Sequence, residues 1–189
     1  MISKHPVSSP EEELILVDSS DKSIGYLSKL EAHQGTGTLH RAFSVFLFNK
    51  KGQLLLQQRS REKLLWPLFW ANSCCSHPRS GESPEKAVHR RLREELGVSS
   101  RVSFLFKFEY KAAFKDIGTE HELCWVWAGK IEEKNLSFNP SEIEAIRFVF
   151  PEELDSELAR NGDQYTPWIK IEWQRIKEEY MSSIKDILV

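Results

Sequence analysis

The chain is expected to fold as an α+β domain with a mixed β-sheet sandwiched between helices. Three observations predict this. The runs AFSVFLF, FLFKFEY, LCWVWAGK and IRFVF are aromatic and β-branched, as strands are. The segments 84–96 and 167–185 read as helices. The two kinds of segment are interleaved along the chain.

Residues 1–12 are expected to be a loose arm. LILVDSSDKSIGYLS then has the pattern of a short hairpin, two apolar runs around a polar turn. Ser28-Lys29-Leu30-Glu31 has capping-box spacing, so a brief helix should run to His33. Gly35 and Gly37 break it. AFSVFLF (42–48) reads as a buried strand, and Asn49-Lys50-Lys51-Gly52 turns it into QLLLQQR (53–59). Residues 60–82 hold charges, prolines and two tryptophans, and read as a long functional loop. Pro84 opens a helix that Gly97 closes. Strands are expected at 104–110 and 123–130 with a polar loop between them, and a third at 146–150. Pro151 starts a short helix, and 167–185 forms a longer amphipathic one.

At 189 residues, the length suits one domain, 1–189, with a proper core. Lysine plus arginine is 26 against 28 for aspartate plus glutamate, which argues against a nucleic-acid or membrane-surface partner. No apolar run approaches bilayer length. MISKHPVSSPEEEL lacks a signal-peptide core, and the cysteines (Cys74, Cys75, Cys124) are odd in number with two adjacent. A cytoplasmic, reducing location follows as an expectation. Monomer and dimer both remain open.

Chemistry concentrates between residues 72 and 95, NSCCSHPRSGESPEKAVHRRLREE. Cys75 and His77 share a face if the segment is extended. On the helix, Arg90 and Arg91 stand one turn before Glu94 and Glu95. Glu120 and Glu122 alternate like strand residues and also share a face. With His33, His40 and His77 they offer three nitrogens and two oxygens, a set that suits zinc, manganese or magnesium if the fold brings the pieces together, which spacing alone does not establish. Lys29, Arg59, Arg61, Lys63 and Arg91 offer the neutralisation a diphosphate needs. Trp66, Trp70, Tyr110 and Trp168 offer aromatic faces to a developing cation.

From Ser76 the spacing S-x5-E-x7-R-x-L-x-E-E-x-G-V resembles the Nudix box, G-x5-E-x7-R-E-U-x-E-E-x-G-U. Seven of its nine positions match: Glu82, Arg90, Leu92, Glu94, Glu95, Gly97 and Val98. Ser76 replaces the glycine and Arg91 replaces a glutamate. Helical carboxylates at this spacing suit a hard divalent cation on diphosphate oxygens. An arginine in their midst suits phosphate itself.

The wider chain resembles the type I isopentenyl-diphosphate Δ-isomerases, a branch of the Nudix superfamily. The resemblance runs from about Lys29 to Trp168. It rests on L-E-A-H-x6-H at 30–40, AFSVFLFNKKGQLLLQQR, WPLFWANSCCSHPRSGES, FEYKA, EHE at 120–122 and TPW at 166–168. It implies a Nudix-type fold and a 1,3-allylic rearrangement of isopentenyl diphosphate to dimethylallyl diphosphate. It casts Cys75 and Glu122 as the acid and base, without saying which donates the proton. Tyr110 would orient Glu122 or relay its proton, and Trp168 would shield the cation. His33, His40, His77, Glu120 and Glu122 would hold a divalent metal (manganese, zinc or magnesium). Magnesium on the substrate diphosphate would meet Glu95 and the carbonyl of Cys75. Lys29, Arg59, Lys63 and Arg91 would bind the diphosphate. Cys74 receives no role.

Other readings remain. A Nudix diphosphate hydrolase would carry the full glutamate box and need neither Cys75 nor the EHE pair. A non-catalytic Nudix binding module would have lost part of the expected set. Thiol redox chemistry would need a resolving cysteine, for which adjacent Cys74 is poorly placed.

Overall fold

The computed structural model describes residues 7–188. Strands β1 (Glu13–Val17) and β2 (Ser23–Ser28) form the expected hairpin. Asp18 turns it, accepting the backbone N–H groups of Ser20 and Lys22 at 2.9 and 3.0 Å. Helix α1 (Lys29–His33) follows at once, with the Ser28 hydroxyl accepting the Glu31 N–H.

Strand β3 (His40–Phe48) is the axis of the sheet. Along one edge it pairs in parallel with β8 (Gly118–Lys130), from His40 opposite Glu122 to Phe48 opposite Lys130. Its other edge is shared between β1 at His40, β6 (Cys74–Ser76) at Phe43 to Val45, and β4 (Leu54–Arg59) at Phe48. Strand β7 (Val102–Phe114) lies beside β8. Strands β5 (Trp70–Ala71) and β9 (Ile143–Val149) flank β4. The sheet is therefore mixed, as expected.

Alternation along β3 divides the core in two. Phe43, Val45 and Leu47 pack against helix α2 (Pro84–Leu96) through its Ala87, Val88, Leu92 and Leu96. Ala42, Phe46 and Phe48 pack against helix α4 (Pro167–Arg175) through Trp168, Ile169 and Trp173. Each such fully buried aliphatic side chain contributes roughly 1.5–3 kcal/mol relative to exposure. Helix α2 has the bounds its sequence announces. The Ser83 hydroxyl accepts the Lys86 N–H, and Gly97 adopts the left-handed conformation, φ 68°, that ends the helix. Helix α3 (Pro151–Asn161) follows β9.

Four expectations need correction. The long loop 60–82 contains β5 and β6, so Cys75 stands on a strand rather than in a polar loop. Two- and three-residue strands are too short to show a period. Strands β7 and β8 are longer than expected, and only Lys115–Ile117 separates them. Their alternation continues on either side of that turn, but the inward positions near it include Glu120 and Glu122, which line a cavity, so the stretch looks loop-like. The C-terminal helix is interrupted: a π-helical turn at Ile176–Tyr180 joins α4 to α5 (Met181–Leu188). Of the arm at 1–12, residues 1–6 lie outside the described residues. The remainder is tied to α1, since Pro10 and Glu12 carbonyls accept the Leu30 and Lys29 N–H groups at 3.0 and 2.8 Å.

Candidate active site

A cavity of about 310 Å³ opens between the sheet, α1 and α4. Strand geometry selects what faces it. Cys75 lies opposite Ser44 on one side of β3, and Glu122 lies opposite His40 on the other. The candidate thiol and carboxylate thus rise from strands flanking the axis of the sheet. Tyr110 faces Glu122 across the β7–β8 ladder and donates a 2.7 Å hydrogen bond to Glu122 Oε2. Trp168, 3 % exposed, lines the cavity from α4. Its indole N–H donates to Asn72 Oδ1 at 3.2 Å, and Trp66 meets its ring edge-on at 5.4 Å between centroids. Cys74 points to the opposite face and packs under α2.

The three histidines and two glutamates do meet. Their ligand atoms all lie within 4.8 Å of one another, and all five residues are buried. Backbone carbonyls set two of the rings. Nδ1 of His33 lies 2.6 Å from the Lys29 carbonyl, and Nδ1 of His40 lies 2.8 Å from that of Thr38. A ring that donates from Nδ1 leaves its Nε2 lone pair facing inward. His40 Nε2 then lies 3.2 Å from His77 Nε2, which lies 2.9 Å from Glu122 Oε1. His33 Nε2 meets Glu120 Oε2 at 2.7 Å. His77 Nδ1 is buried with no hydrogen-bond partner among the described residues. Converging lone pairs beside two carboxylates are poorly satisfied by one another and well satisfied by a divalent cation. The residues present therefore fit such an ion.

Electrostatics separate the pair across β3. Burial pushes the Cys75 thiol up to about 12, against the pull of Arg59, whose Nη1 lies 3.7 Å from the sulfur. Burial also tends to raise Glu122, yet neighbouring His40 and the hydrogen bond from Tyr110 hold its carboxyl below the ordinary range. Burial, then the charge of Glu122, raise the Tyr110 phenol well above its usual value. At neutral pH the cavity thus holds a protonated thiol and an ionised carboxylate.

The cavity wall also carries cations. Lys29, Arg59, Lys63 and Arg91 all belong to it. Burial, then the charges of Lys63 and Arg91, pull Lys29 down to about 8. Arg59 also lies over the Trp168 ring, 5.2 Å from its centroid. Arg91 lines the cavity with its guanidinium already engaged by carboxylates. It is 1 % exposed, and its guanidinium meets Glu95 at 2.7 Å and Glu142 at 3.0 Å. Glu95 stands on α2 apart from the histidine cluster, committed to Arg91. Arg61 lies outside the cavity and pairs with Glu144. Arg90 bridges Glu82 and Glu94 and donates to the His77 carbonyl at 3.3 Å, which latches the histidine segment to α2.

Sequence reasoning missed Glu142, 2 % exposed, and the segment Ser8–Pro10, both of which line the cavity. Lys29 Nζ donates to the Ser8 hydroxyl. The Asn-Pro-Ser-Glu run at 139–142 is a turn signal, but nothing local assigns that turn to this cavity.

Comparison with known proteins identifies the fold and the family. The NUDIX domain family matches residues 38–169. A Deinococcus radiodurans crystal structure superposes with a TM-score of 0.65 at 27% identity, over 79% of this chain and 90% of that one. A MutT protein structure from Methanosarcina mazei superposes at 0.63 and 16% identity, over 76% and 96%, which speaks to fold alone. The chain is a member of the NUDIX family. Isopentenyl-diphosphate Delta-isomerase 1 of Photorhabdus laumondii is 41% identical over 92% of this chain and 99% of its own length. The isopentenyl-diphosphate Delta-isomerase of Nocardia farcinica is 43% identical over 82% and 88%, and that of Schizosaccharomyces pombe 34% over 95% and 90%. Within the NUDIX family, the chain belongs to the isopentenyl-diphosphate Delta-isomerases.

Proposed function

We propose that this protein interconverts isopentenyl diphosphate and dimethylallyl diphosphate. The observation that carries the reading is the placement of Cys75 and Glu122 on either side of β3, in a cavity lined by four cations. The substrate alkene is unactivated. One proton must be added at the terminal methylene carbon and another lost from the carbon on the far side of the double bond. The intervening carbon then carries a tertiary cation. Protons gained and lost balance, and no redox partner is needed. Between them, the Cys75 thiol and Glu122 carboxylate carry one transferable proton and one vacant basic site.

Trp168 and Tyr110 support the cation through their ring faces, an effect of roughly 0.5–2 kcal/mol at such sites. With Trp66 and Leu65 they also exclude water, which would trap the cation as an alcohol. Lys29, Arg59, Lys63 and Arg91 neutralise the diphosphate, and Glu95 would meet the magnesium that accompanies it. His33, His40, His77, Glu120 and Glu122 would hold a second divalent ion, manganese, zinc or magnesium. When bound, that ion supplies a fixed charge that orients Glu122 and tunes its basicity. Residues 1–189 act as a single catalytic unit in the cytoplasm, and among the described residues no helix is long and apolar enough to cross a membrane. The substitution of Arg91 for a box glutamate, and the presence of Cys75, speak against diphosphate hydrolysis.

The test is an NMR assay of the purified protein with isopentenyl diphosphate and magnesium in D2O. Dimethylallyl diphosphate with deuterium in its methyl groups is expected. Release of phosphate or pyrophosphate without isomerisation would replace the reading with a hydrolase.

A further inference from the structure

We propose that Glu142 is a positioning residue for the diphosphate end of this cavity: it holds Lys63 and Arg91 together as a stand-in anion until substrate arrives. The inference rests on reading the cavity as a diphosphate site.

Like charges converge there. Lys29, Lys63, Arg59 and Arg91 line one partly enclosed space, and ammonium groups on flexible stems would otherwise move apart into water. One carboxylate oxygen prevents it. Glu142 Oε2 accepts Lys63 Nζ and, at 3.0 Å, Arg91 Nη2. The Lys63 side chain is 19% exposed, while those of Glu142 and Arg91 are 2% and 1% exposed. The neighbouring cations hold the Glu142 carboxyl down at about 2 although burial opposes them, so it stays ionised at any working pH.

The mounting of Glu142 is rigid, as a positioning role requires. Its N–H donates to the Asn139 carbonyl at 3.0 Å, and the Asn139 N–H donates to the Glu95 carbonyl at 2.8 Å. That ties the turn to the end of α2, which carries Arg91. The Glu142 carbonyl in turn accepts the Ser60 N–H at 3.0 Å, and the Ser60 carbonyl accepts the Lys63 N–H at 3.1 Å. The carboxylate is thus fixed to both segments whose cations it gathers. Arriving phosphate oxygens take over the same donors, and Lys63 transfers by rotation about its stem. Glu142 itself repels the anion, so the sign of its effect decides the matter.

The test compares wild type, Glu142→Gln and Glu142→Asp as full-length, metal-loaded protein. Calorimetry gives the Kd of inorganic pyrophosphate with magnesium, and the isomerisation assay gives KM and kcat. In Glu142→Gln, Kd and KM are expected to rise about tenfold, a change of about 1.4 kcal/mol. The value of kcat should move far less, and Glu142→Asp should recover part of the loss. In a Lys63→Met background the effect of Glu142→Gln should shrink, because part of it runs through Lys63. Unchanged or tighter pyrophosphate binding in Glu142→Gln would overturn the inference, as would a loss confined to kcat or an undiminished effect without Lys63. If Glu142→Gln does not fold, Glu142→Asp decides alone, and pyrophosphate binding equal to wild type overturns the inference. A wild type that binds pyrophosphate yet forms no dimethylallyl diphosphate would sink the isomerase reading and leave the binding comparison to judge Glu142.

Discussion

Tyr110 and Glu122 stand opposite each other on the β7–β8 ladder, and the phenol donates to the carboxylate at 2.7 Å. The bond orients Glu122 and favours its ionised form. Tyr110→Phe keeps the ring and its packing against Phe108 and Trp168 while removing that donor. Turnover is expected to fall by about 10²-fold or more, in the range of a lost acid–base partner, with little change in KM. The acidic limb of the kcat profile should move to higher pH, because the ionised carboxylate has lost a hydrogen bond. Wild-type kcat in the phenylalanine variant would remove Tyr110 from the chemistry.

Adjacent Cys74 and Cys75 provide an internal control, since strand alternation sends them to opposite faces. Cys75→Ala is expected to lower turnover by at least about 10²–10⁴-fold with the fold intact, and Glu122→Gln to do likewise. Cys74→Ala leaves a small gap under α2, so it should cost about 1 kcal/mol of stability and little activity. Turnover and thermal melts on the three variants separate the cases. Near-normal rates in Cys75→Ala would end the assigned mechanism.

What the sequence made legible follows from periodicity and spacing. Ser83, Pro84 and Gly97 bracket α2 because caps and breakers act locally. Two-residue alternation put Glu120 beside Glu122 on one face, and the helix register paired Arg91 with Glu95. Three features were not legible. The strand character of Cys74–Ser76 depends on pairing with residues some thirty positions earlier. Glu142 reaches Arg91 only because β9 returns beside β4. Ser8–Pro10 lie on the cavity only because α1 draws the arm across it. Each is a long-range contact, to which local pattern is blind. Residue types offered the three histidines and two glutamates as a ligand set, but that they meet was implied only by the resemblance; the β3–β8 ladder supplies part of the physical cause by setting His40 opposite Glu122.

The histidine–glutamate cluster should carry a stoichiometric divalent ion in protein purified without chelators. Elemental analysis checks this directly. Removal by a strong chelator is expected to lower Tm, since an ion bound only by the folded state stabilises it by mass action. It should also abolish isomerisation, and metal should restore both. His40→Ala should lose the ion, because His40 is fully buried and its Nε2 faces His77 and Glu122. A metal-free protein with full activity and unchanged Tm would refute the assignment.

Glu172 makes stability depend on pH in an identifiable window. It is fully buried on α4; Oε1 lies 3.6 Å from Cys124 Sγ, and Oε2 has no hydrogen-bond partner among the described residues. Burial raises its carboxyl from the ordinary 4.5 to about 8, against hydrogen bonds from Ser44 and Cys124. Below 4.5 the group is protonated whether the chain is folded or unfolded, and stability has no slope from it. Between 4.5 and about 8 only the folded chain keeps the proton. Stability then falls as pH rises, by at most about 1.4 kcal/mol per pH unit, and levels off once the folded form ionises. Glu172→Gln keeps the shape and removes the titration. Relative to wild type, its Tm should therefore improve steadily from about pH 5 to pH 8 and run parallel above that. Melting curves of both proteins across this range check it. Parallel curves throughout would mean that water or a rearranged partner reaches the carboxylate, and that it ionises in the folded protein as easily as in the unfolded chain.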